Sequence, residues 1–229
     1  MSFIEGRSFG VYGLPWKRAA GKRLVQGMLW GLAEVVGVIV LIFSWGGYSF
    51  GGLALQTARV VPWGGLWLLV FLAVAFYEEF GFRGYTQYTL ASGIGFWPGA
   101  VLLSALFGGV HLRNPGEGWI GSLSAAFIGL FYCLTLRRTG NLWFAVGAHA
   151  AFDWGETFLF SVPNSGFVAE GHLSGASLRG PVWLTGGKVG PEGSVFCFLL
   201  IALMFAVFPL FFPAAPREGR AAPPGGETH

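Results

Sequence analysis

Residues 66–83 read LWLLVFLAVAFYEEFGFR, an apolar run that continues without a break into two glutamates and an arginine. The apolar character starts near Gly64, and no helix-breaking residues follow until Ser92 and Gly93. A membrane-spanning helix needs about 20 mostly apolar residues, so this stretch predicts a transmembrane helix that contains charged side chains. The whole chain has the same bias, since 54% of its 229 residues are hydrophobic and 11% are charged, against about 25% charged residues in a soluble domain. We therefore expect an all-α, polytopic transmembrane helix bundle.

Five more apolar runs predict a total of six spans in one domain. They cover residues 24–45, 98–112, 119–136, 142–160 and 195–212. Pro98 suits the first turn of the third helix, and Asn141 suits the N-cap of the fifth. A glycine-rich connection, residues 161–194, precedes the sixth span. We expect residues 1–23 to be a basic cytoplasmic segment, residues 24–212 the transmembrane domain, and the proline- and glycine-rich residues 213–229 a disordered tail.

Basic residues near the ends of the spans predict the orientation of the chain. With six spans, all three basic clusters fall on one face of the bundle, and the positive-inside rule makes that face cytoplasmic. Both termini are then cytoplasmic, in a multi-pass protein of the cell membrane. There is no lysine and arginine cluster of the kind that binds nucleic acid, so we expect no such partner. The clusters are Lys17, Arg18, Lys22 and Arg23 before the first span, Arg137 and Arg138 after the fourth, and Arg217 and Arg220 after the sixth.

Several ionisable side chains lie inside the predicted spans, where a charge costs several kcal/mol and is a functional candidate by default. Glu34, in the first span, is expected to face a cavity or to bond to another helix. Cys133 and Cys197 each lie inside an apolar run, which predicts buried free thiols. The candidate site residues are Glu78, Glu79 and Arg83 in the second span, His111 in the third, and His149, Asp153 and Glu156 in the fifth.

The spacing of these residues indicates which side chains can meet. Glu79 and Arg83 are four residues apart and can form an ion pair on one helix face. The candidates in the fifth span are spaced by four and then three residues, so they share one face of that helix. At a rise of about 1.5 Å per residue, four side chains reach similar depths from the cytoplasmic face, and we expect a polar cavity open to that half of the bilayer. The four are Glu78, His111, His149 and Asp153.

The combination of carboxylates and histidines suits hydrolysis. A glutamate general base can take a proton from water, and neighbouring N–H groups can stabilise the developing oxyanion. The same four side chains could hold a divalent metal such as zinc, so the sequence leaves open whether the protein uses a metal or none. There is no His-Glu-x-x-His or Gly-x-Ser-x-Gly motif, and Ser104, on the same helix face as His111, is a weaker nucleophile candidate. Polar contacts that only hold helices together are the structural alternative.

Three short motifs occur in order in three of the spans. They are Glu-Glu-x-x-x-Arg at residues 78–83, Phe-x-x-x-His at residues 107–111 and His-x-x-x-Asn/Asp at residues 149–153. With these motifs the chain resembles the CPBP family, the CAAX proteases and bacteriocin-processing enzymes also called the Abi family, over about residues 66–160. The resemblance implies a membrane-embedded hydrolase, an intramembrane endopeptidase that acts on a peptide or protein substrate within the lipid bilayer.

The resemblance also implies a role for each matching residue. Asp153 stands where the eukaryotic CAAX enzymes carry asparagine, and a carboxylate donates a hydrogen bond only when protonated, so we expect it to orient water or bind a metal. Members of the family have been described both as metalloproteases and as glutamate-dependent enzymes without a catalytic metal. By the resemblance, Glu78 and His111 activate the attacking water, His149 and Asp153 help to form the oxyanion site, and Glu79 and Arg83 are supporting residues.

Two other functions fit the same residues. Glutamate, aspartate and histidine inside spans also build proton relays, as in a proton-coupled transporter, although the chain lacks the broken-helix repeats of many transporters. A catalytically silent membrane protein of the bacteriocin-immunity type would keep the motifs as contacts between helices. Nothing in the sequence indicates a prenylated substrate, so immunity, peptide processing and quality control are all open as biological roles.

Overall fold

Helices occupy each of the six predicted positions. The computed structural model describes residue 6 and residues 8–213, so the predicted disordered tail lies outside the described residues except for Pro213. The helices are α1 (Lys22–Ser44), α2 (Thr57–Glu79), α3 (Gln87–Ile94), α4 (Phe96–His111), α5 (Trp119–Thr139), α6 (Trp143–Trp154), α7 (Val182–Thr185) and α8 (Val195–Phe211). Two π-helical segments, Phe80–Thr86 and Gly155–Leu159, follow α2 and α6 directly. A small antiparallel sheet pairs β1 (Tyr48–Ser49) with β2 (Ser177–Leu178).

These helices confirm an all-α bundle suited to a membrane. α1, α5 and the continuous helical run from α2 through α3 (Thr57–Ile94) are each long and apolar enough to cross a membrane. α4 and α8 are shorter apolar helices of 16 and 17 residues. α6, at the position of the fifth predicted span, has 12 residues and is almost wholly buried inside the protein. The other helices therefore shield α6 from lipid.

Capping side chains mark the starts of two helices. The N–H group of Trp143, the first residue of α6, donates to Oδ1 of Asn141 at 2.9 Å, although the N-cap position itself is Leu142, one residue later than predicted. The N–H group of Cys197 donates to the hydroxyl of Ser194 at 3.3 Å and so satisfies a free donor at the start of α8. α2 begins earlier than predicted, at Thr57 rather than near residue 64, and includes Pro62 in its second turn.

α1 and α6 form the most extensive contact between two elements in the described part of the chain. Three glycines lie at this interface with no room for a side chain. A Cβ on Gly27 would collide with the carbonyl of Phe144, a Cβ on Gly31 with the carbonyl of Ala148, and a Cβ on Gly147 with the carbonyl of Leu24. Small residues allow helices to approach closely in membrane proteins, and here they hold α6 at a fixed depth.

The segment before α1 packs against the bundle. Residues 9–12 and 16–18 form two short 3₁₀ turns, and Leu14 belongs to the main hydrophobic core. The N–H group of Leu142 donates to the carbonyl of Gly13 at 2.8 Å, and the indole of Trp143 donates to the carbonyl of Pro15 at 3.3 Å. This segment therefore fixes the start of α6.

The basic clusters meet at one end of the bundle, as the sequence predicts for those within the described residues. Lys22 and Arg23 at the start of α1, Arg138 near the end of α5 and Phe212 after α8 line a common cavity. The loop between α4 and α5 and the long connection from α6 to α8 therefore lie at the other end. There β1 pairs with β2, and the Tyr48 hydroxyl donates to the carbonyl of Phe160 at 3.0 Å. We name the two ends the basic end and the loop end.

Candidate active site

A cavity of about 500 Å³ lies between the helices and contains the predicted convergence point. Residues of α1, α2, α4, α5, α6 and α8 line it, together with part of the connection after α6. Glu34 of α1 also lines it, as expected for a carboxyl group that faces a cavity. The four side chains predicted to converge all line this cavity. They are Glu78, His111, His149 and Asp153.

His149 is the centre of the polar contacts. Its Nε2 lies 3.4 Å from Oδ2 of Asp153 and 3.7 Å from Oε2 of Glu78. Its Nδ1 lies 3.0 Å from Oε1 of Glu79, and because a carboxylate accepts, the Nδ1–H group is the donor. The imidazole stacks on the ring of Tyr132, with centroids 5.9 Å apart. A second proton, on Nε2, would give an imidazolium whose charge offsets the three surrounding carboxylates.

The supporting pair of the first motif is buried. Nη1 of Arg83 lies 3.1 Å from Oε1 of Glu79, so the ion pair predicted from their spacing is present. The Arg83 guanidinium also lies 3.9 Å from the ring centre of Phe107, a cation–π contact that reaches the second motif. Because Oε1 of Glu79 accepts from both Arg83 and His149, the pair of Glu79 and Arg83 connects all three motifs. Spacing within one helix could not reveal its contact with His149.

His111 is the last residue of α4, and its imidazole bonds to its own helix. Its Nδ1 lies 2.8 Å from the carbonyl of Phe107, and a carbonyl only accepts, so Nδ1–H is the donor. In the neutral ring, Nε2 is then an acceptor. No described ion pair within 4.0 Å joins His111 to Glu78. The two side chains therefore line one cavity without a direct ion pair between them.

The sequence predicts that His149, Asp153 and Glu156 share one face of the fifth span. Only the first two of these residues line the cavity. Glu156 lies in the π-helical segment Gly155–Leu159 and is fully buried. Its carboxylate lies near the backbone of Glu192. Glu156 is not part of the cavity lining. The structure therefore separates it from the other two residues of the stripe.

Glu192 is a cavity residue that sequence reasoning missed. It lies in a 3₁₀ turn of the long connection, and the N–H group of Ser165 donates to its Oε1. Burial raises the pKa of Glu192 to about 8, with the charge of Glu117 as the next largest cause. Its position outside every apolar run gave no periodic signal. Only the folding of the connection back onto the bundle brings it to the cavity.

The geometry supports neither Ser104 as a nucleophile nor a metal site formed by the four cavity side chains. Ser104 is buried beside the thiol of Cys133, and it does not line the cavity. Cys133 and Cys197 are buried free thiols, as predicted. Within residues 8–213, no group of three or more histidine, cysteine, aspartate or glutamate side chains is arranged to hold a metal ion. The four predicted metal candidates thus do not form such a donor set.

The cavity lies in the other half of the bundle from the one predicted. The sequence-based depths suggest an opening toward the basic end, but the lining residues come from the middle of the helices and from the loop end. Asn114 and Glu192 belong to loops at that end, as do Phe167 and Val168, which are exposed. The prediction of a site open to the half with the basic clusters is therefore wrong. The prediction was wrong because the depth of each residue was counted along its helix from the basic end, and the loops that line the cavity at the other end were not considered.

Both π-helical segments adjoin the polar cluster. Phe80–Thr86 starts directly after Glu79 and contains Arg83, and Gly155–Leu159 starts one residue after Trp154 of α6. Single π turns inside α-helices are rare and occur frequently at functional sites, because the wider turn redirects the side chains around it. Their position here agrees with a functional role for the cavity.

Comparison with known protein families gives a match to the middle of the chain. Residues 60–155 match the family described as Type II CAAX prenyl endopeptidase Rce1-like. This region runs from α2 to the end of α6 and contains all three motifs, so the family predicted from them is confirmed over that region. No curated protein and no solved structure matches the chain significantly.

Proposed function

Because residues 60–155 match the Rce1-like family, we propose that the protein is an intramembrane endopeptidase that hydrolyses a peptide bond in a peptide or protein substrate. The observation that carries this proposal is the meeting of four side chains of the three motifs at one cavity. Carboxylates and imidazoles in such a place can activate water and bind an oxyanion. The four are Glu78, His111, His149 and Asp153.

The first step of the proposed reaction is attack by water on the scissile carbonyl. Glu78 accepts one proton of the water molecule as the water oxygen bonds to the carbonyl carbon. Nε2 of His111 accepts a hydrogen bond from the same water and orients it, because Nδ1 is already occupied by the carbonyl of Phe107. We place this water between the side chains of Glu78 and His111, which line the same cavity.

The second step is breakdown of the tetrahedral intermediate. When His149 carries protons on both nitrogens, its Nε2–H group can donate to the negative oxygen, and Asp153 at 3.4 Å stabilises the imidazolium. Glu79 holds the opposite nitrogen and so fixes the ring orientation. The carboxylic acid of Glu78 then gives its proton to the amide nitrogen, the C–N bond breaks, and the amine leaves.

The walls of the cavity suit an apolar part of the substrate. Trp67, Phe71 and Val74 of α2 line one side, and Phe152 and Ile201 line others. An extended peptide with apolar side chains could bury them there while its backbone lies near the polar cluster. A prenyl group is one such apolar part, which makes prenylation a variable for the test.

The test is cleavage of a peptide library by the purified full chain, with each peptide present both with and without a prenylated cysteine. We expect Glu78→Gln and His111→Ala to reduce cleavage by about 10²–10⁴-fold, the usual contribution of a general acid–base group. Glu170→Gln is the matched control, because Glu170 is exposed in the long connection. It should cleave like the wild type.

Cleavage by both site variants at the wild-type rate would contradict the assignment of Glu78 and His111. A wild-type protein that cleaves nothing but moves protons across liposomes in a Glu78-dependent manner would favour the proton-coupled transporter instead. A protein that does neither would favour the catalytically silent alternative.

A further inference from the structure

A second cavity, of about 460 Å³, lies at the basic end of the bundle and has no part in the proposed reaction. It lies where α1 begins and where α5 and α8 end, far along the helices from the polar cluster. Its lining combines cations with aromatic and aliphatic side chains. The lining residues are Lys22, Arg23, Gln26, Leu29, Trp30, Arg138, Phe211, Phe212 and Pro213.

The positive charge of this cavity is uncompensated among the described residues. None of the described ion pairs involves Lys22, Arg23 or Arg138, and none of the acidic side chains that the structure describes lines the cavity. Two of the cations lie in the first turn of α1, which contains no acidic residue. Because a helix N-terminus already has a partial positive charge, these side chains raise a positive potential that only an anion from outside the described residues can offset.

Arg23 is held in place for such an anion. Its Nη1 donates to Oε1 of Gln26 at 3.0 Å, and its guanidinium lies 5.0 Å from the ring centre of Phe212. These two contacts use one N–H group and one face of the guanidinium. An arginine has five N–H donors in a fixed fork that matches phosphate oxygens, so donors remain for a phosphate group.

Beside the cations the cavity borders on apolar surface. Leu29 and Phe211 are 62% and 69% exposed, and Trp30 packs edge-on against Phe211 with ring centroids 6.1 Å apart. Three predicted spans begin or end here, so this is the level of the lipid headgroups, where aromatic residues are enriched. An amphiphile could thus place its phosphate among the cations and its acyl chains along the exposed apolar side chains.

We propose that this cavity binds the phosphate of an anionic phospholipid, with Arg23 and Arg138 as its principal partners and Lys22 as the third. Basic pockets between transmembrane helices bind anionic headgroups in this way. Free inorganic phosphate shares the charge but would leave Leu29 and Phe211 without a role. The proposal is independent of the peptidase activity.

The test is native mass spectrometry of the purified full chain titrated with phosphatidylglycerol or with phosphatidylcholine. We expect one phosphatidylglycerol to bind more tightly than phosphatidylcholine, and millimolar inorganic phosphate not to displace it. Affinity should fall by about fivefold for each positive charge removed and by about 25-fold in the double variant Arg23→Gln/Arg138→Gln. The matched control is Arg59→Gln, an exposed arginine at the loop end, which should retain the lipid.

Lys22→Gln keeps the proposal testable if the double variant does not fold, because Lys22 is exposed and its replacement leaves the core intact. This substitution should lower the affinity for phosphatidylglycerol by about fivefold. Equal affinity for the two lipids, or unchanged binding in Lys22→Gln and in a folded double variant, would overturn the proposal. Displacement of the lipid by inorganic phosphate would make the cavity a free-phosphate site and would also overturn it.

Discussion

At the residue scale, Glu79 accepts two hydrogen bonds on one buried carboxylate oxygen, from Arg83 and from His149. Replacing it with alanine would leave the Arg83 charge buried and unpaired, which costs about 3–5 kcal/mol. We therefore expect Glu79→Ala to lower the melting temperature in detergent strongly, and Glu79→Gln to lower it less because the amide oxygen still accepts. In Glu79→Ala kcat should fall more than KM rises, since His149 loses its orienting partner, and in Glu79→Gln this fall in kcat should be smaller. Melting temperatures equal to that of Glu170→Gln would contradict this role.

Glu192 gives the fold a pH dependence of defined sign. Burial raises its pKa to about 8, whereas an unfolded chain releases this proton near its ordinary value, about 4.3. Between these values the folded protein binds one proton more than the unfolded chain, so stability falls as pH rises. Glu192→Gln should remove up to about 1.4 kcal/mol per pH unit of that slope, measured as unfolding at pH 5 to 8. If the slope of the variant equals that of the wild type, Glu192 is not the group that titrates.

The sequence predicted which motif residues line the cavity and one contact within a helix, but not the contacts between helices. Spacing within one helix predicts Glu79 with Arg83, because residues four apart share a face. The contact of Glu79 with His149 joins two helices, and Glu192 reaches the cavity from an irregular connection. Both depend on tertiary packing, which periodicity does not encode.

At the element scale, the depth of the site depends on the close contact of α1 with α6. Gly31→Ala would push a methyl group into the carbonyl of Ala148, and the helix backbone cannot give way cheaply. We expect a loss of about 1–3 kcal/mol, the usual cost of overpacking, and a lower melting temperature. Gly65→Ala, on α2, is the matched control because no atom lies within 4 Å of its added Cβ. It should be neutral or slightly stabilising, since alanine favours a helix. Equal melting temperatures for both variants would contradict the tight interface.

Helix positions were more predictable than helix irregularities. Long apolar runs place the spans, because lipid requires them, and the start of α6 lies within one residue of the position that Asn141 predicts. The π-helical segments at Phe80–Thr86 and Gly155–Leu159 leave the apolar pattern almost unchanged, so they cannot be predicted from that pattern. The pairing of β1 with β2 joins residues far apart in the chain, which no local pattern reports.

At the scale of the whole molecule, the two cavities lie toward opposite ends of the bundle. The basic cavity has the three cations and the candidate active site lies toward the loop end. If the positive-inside rule holds, the basic end faces the cytoplasm. The proposed substrate then reaches the polar cluster from the outer half of the membrane or from beyond it, and segments of membrane proteins on that side become the candidates for cleavage.

This orientation can be measured with single added cysteines, because Cys133 and Cys197 are buried. Val168→Cys places a thiol on the exposed loop beside the active-site cavity, and Arg137→Cys places one at the basic end, also exposed. On intact cells we expect a membrane-impermeant maleimide to label Val168→Cys, and to label Arg137→Cys only after permeabilisation. The wild type should stay unlabelled in both conditions. The reverse pattern would invert the chain, so that the cavity would face the cytoplasm and its substrates would be cytoplasmic segments; the peptidase proposal itself would still stand, because it depends on the polar cluster and not on the side of entry.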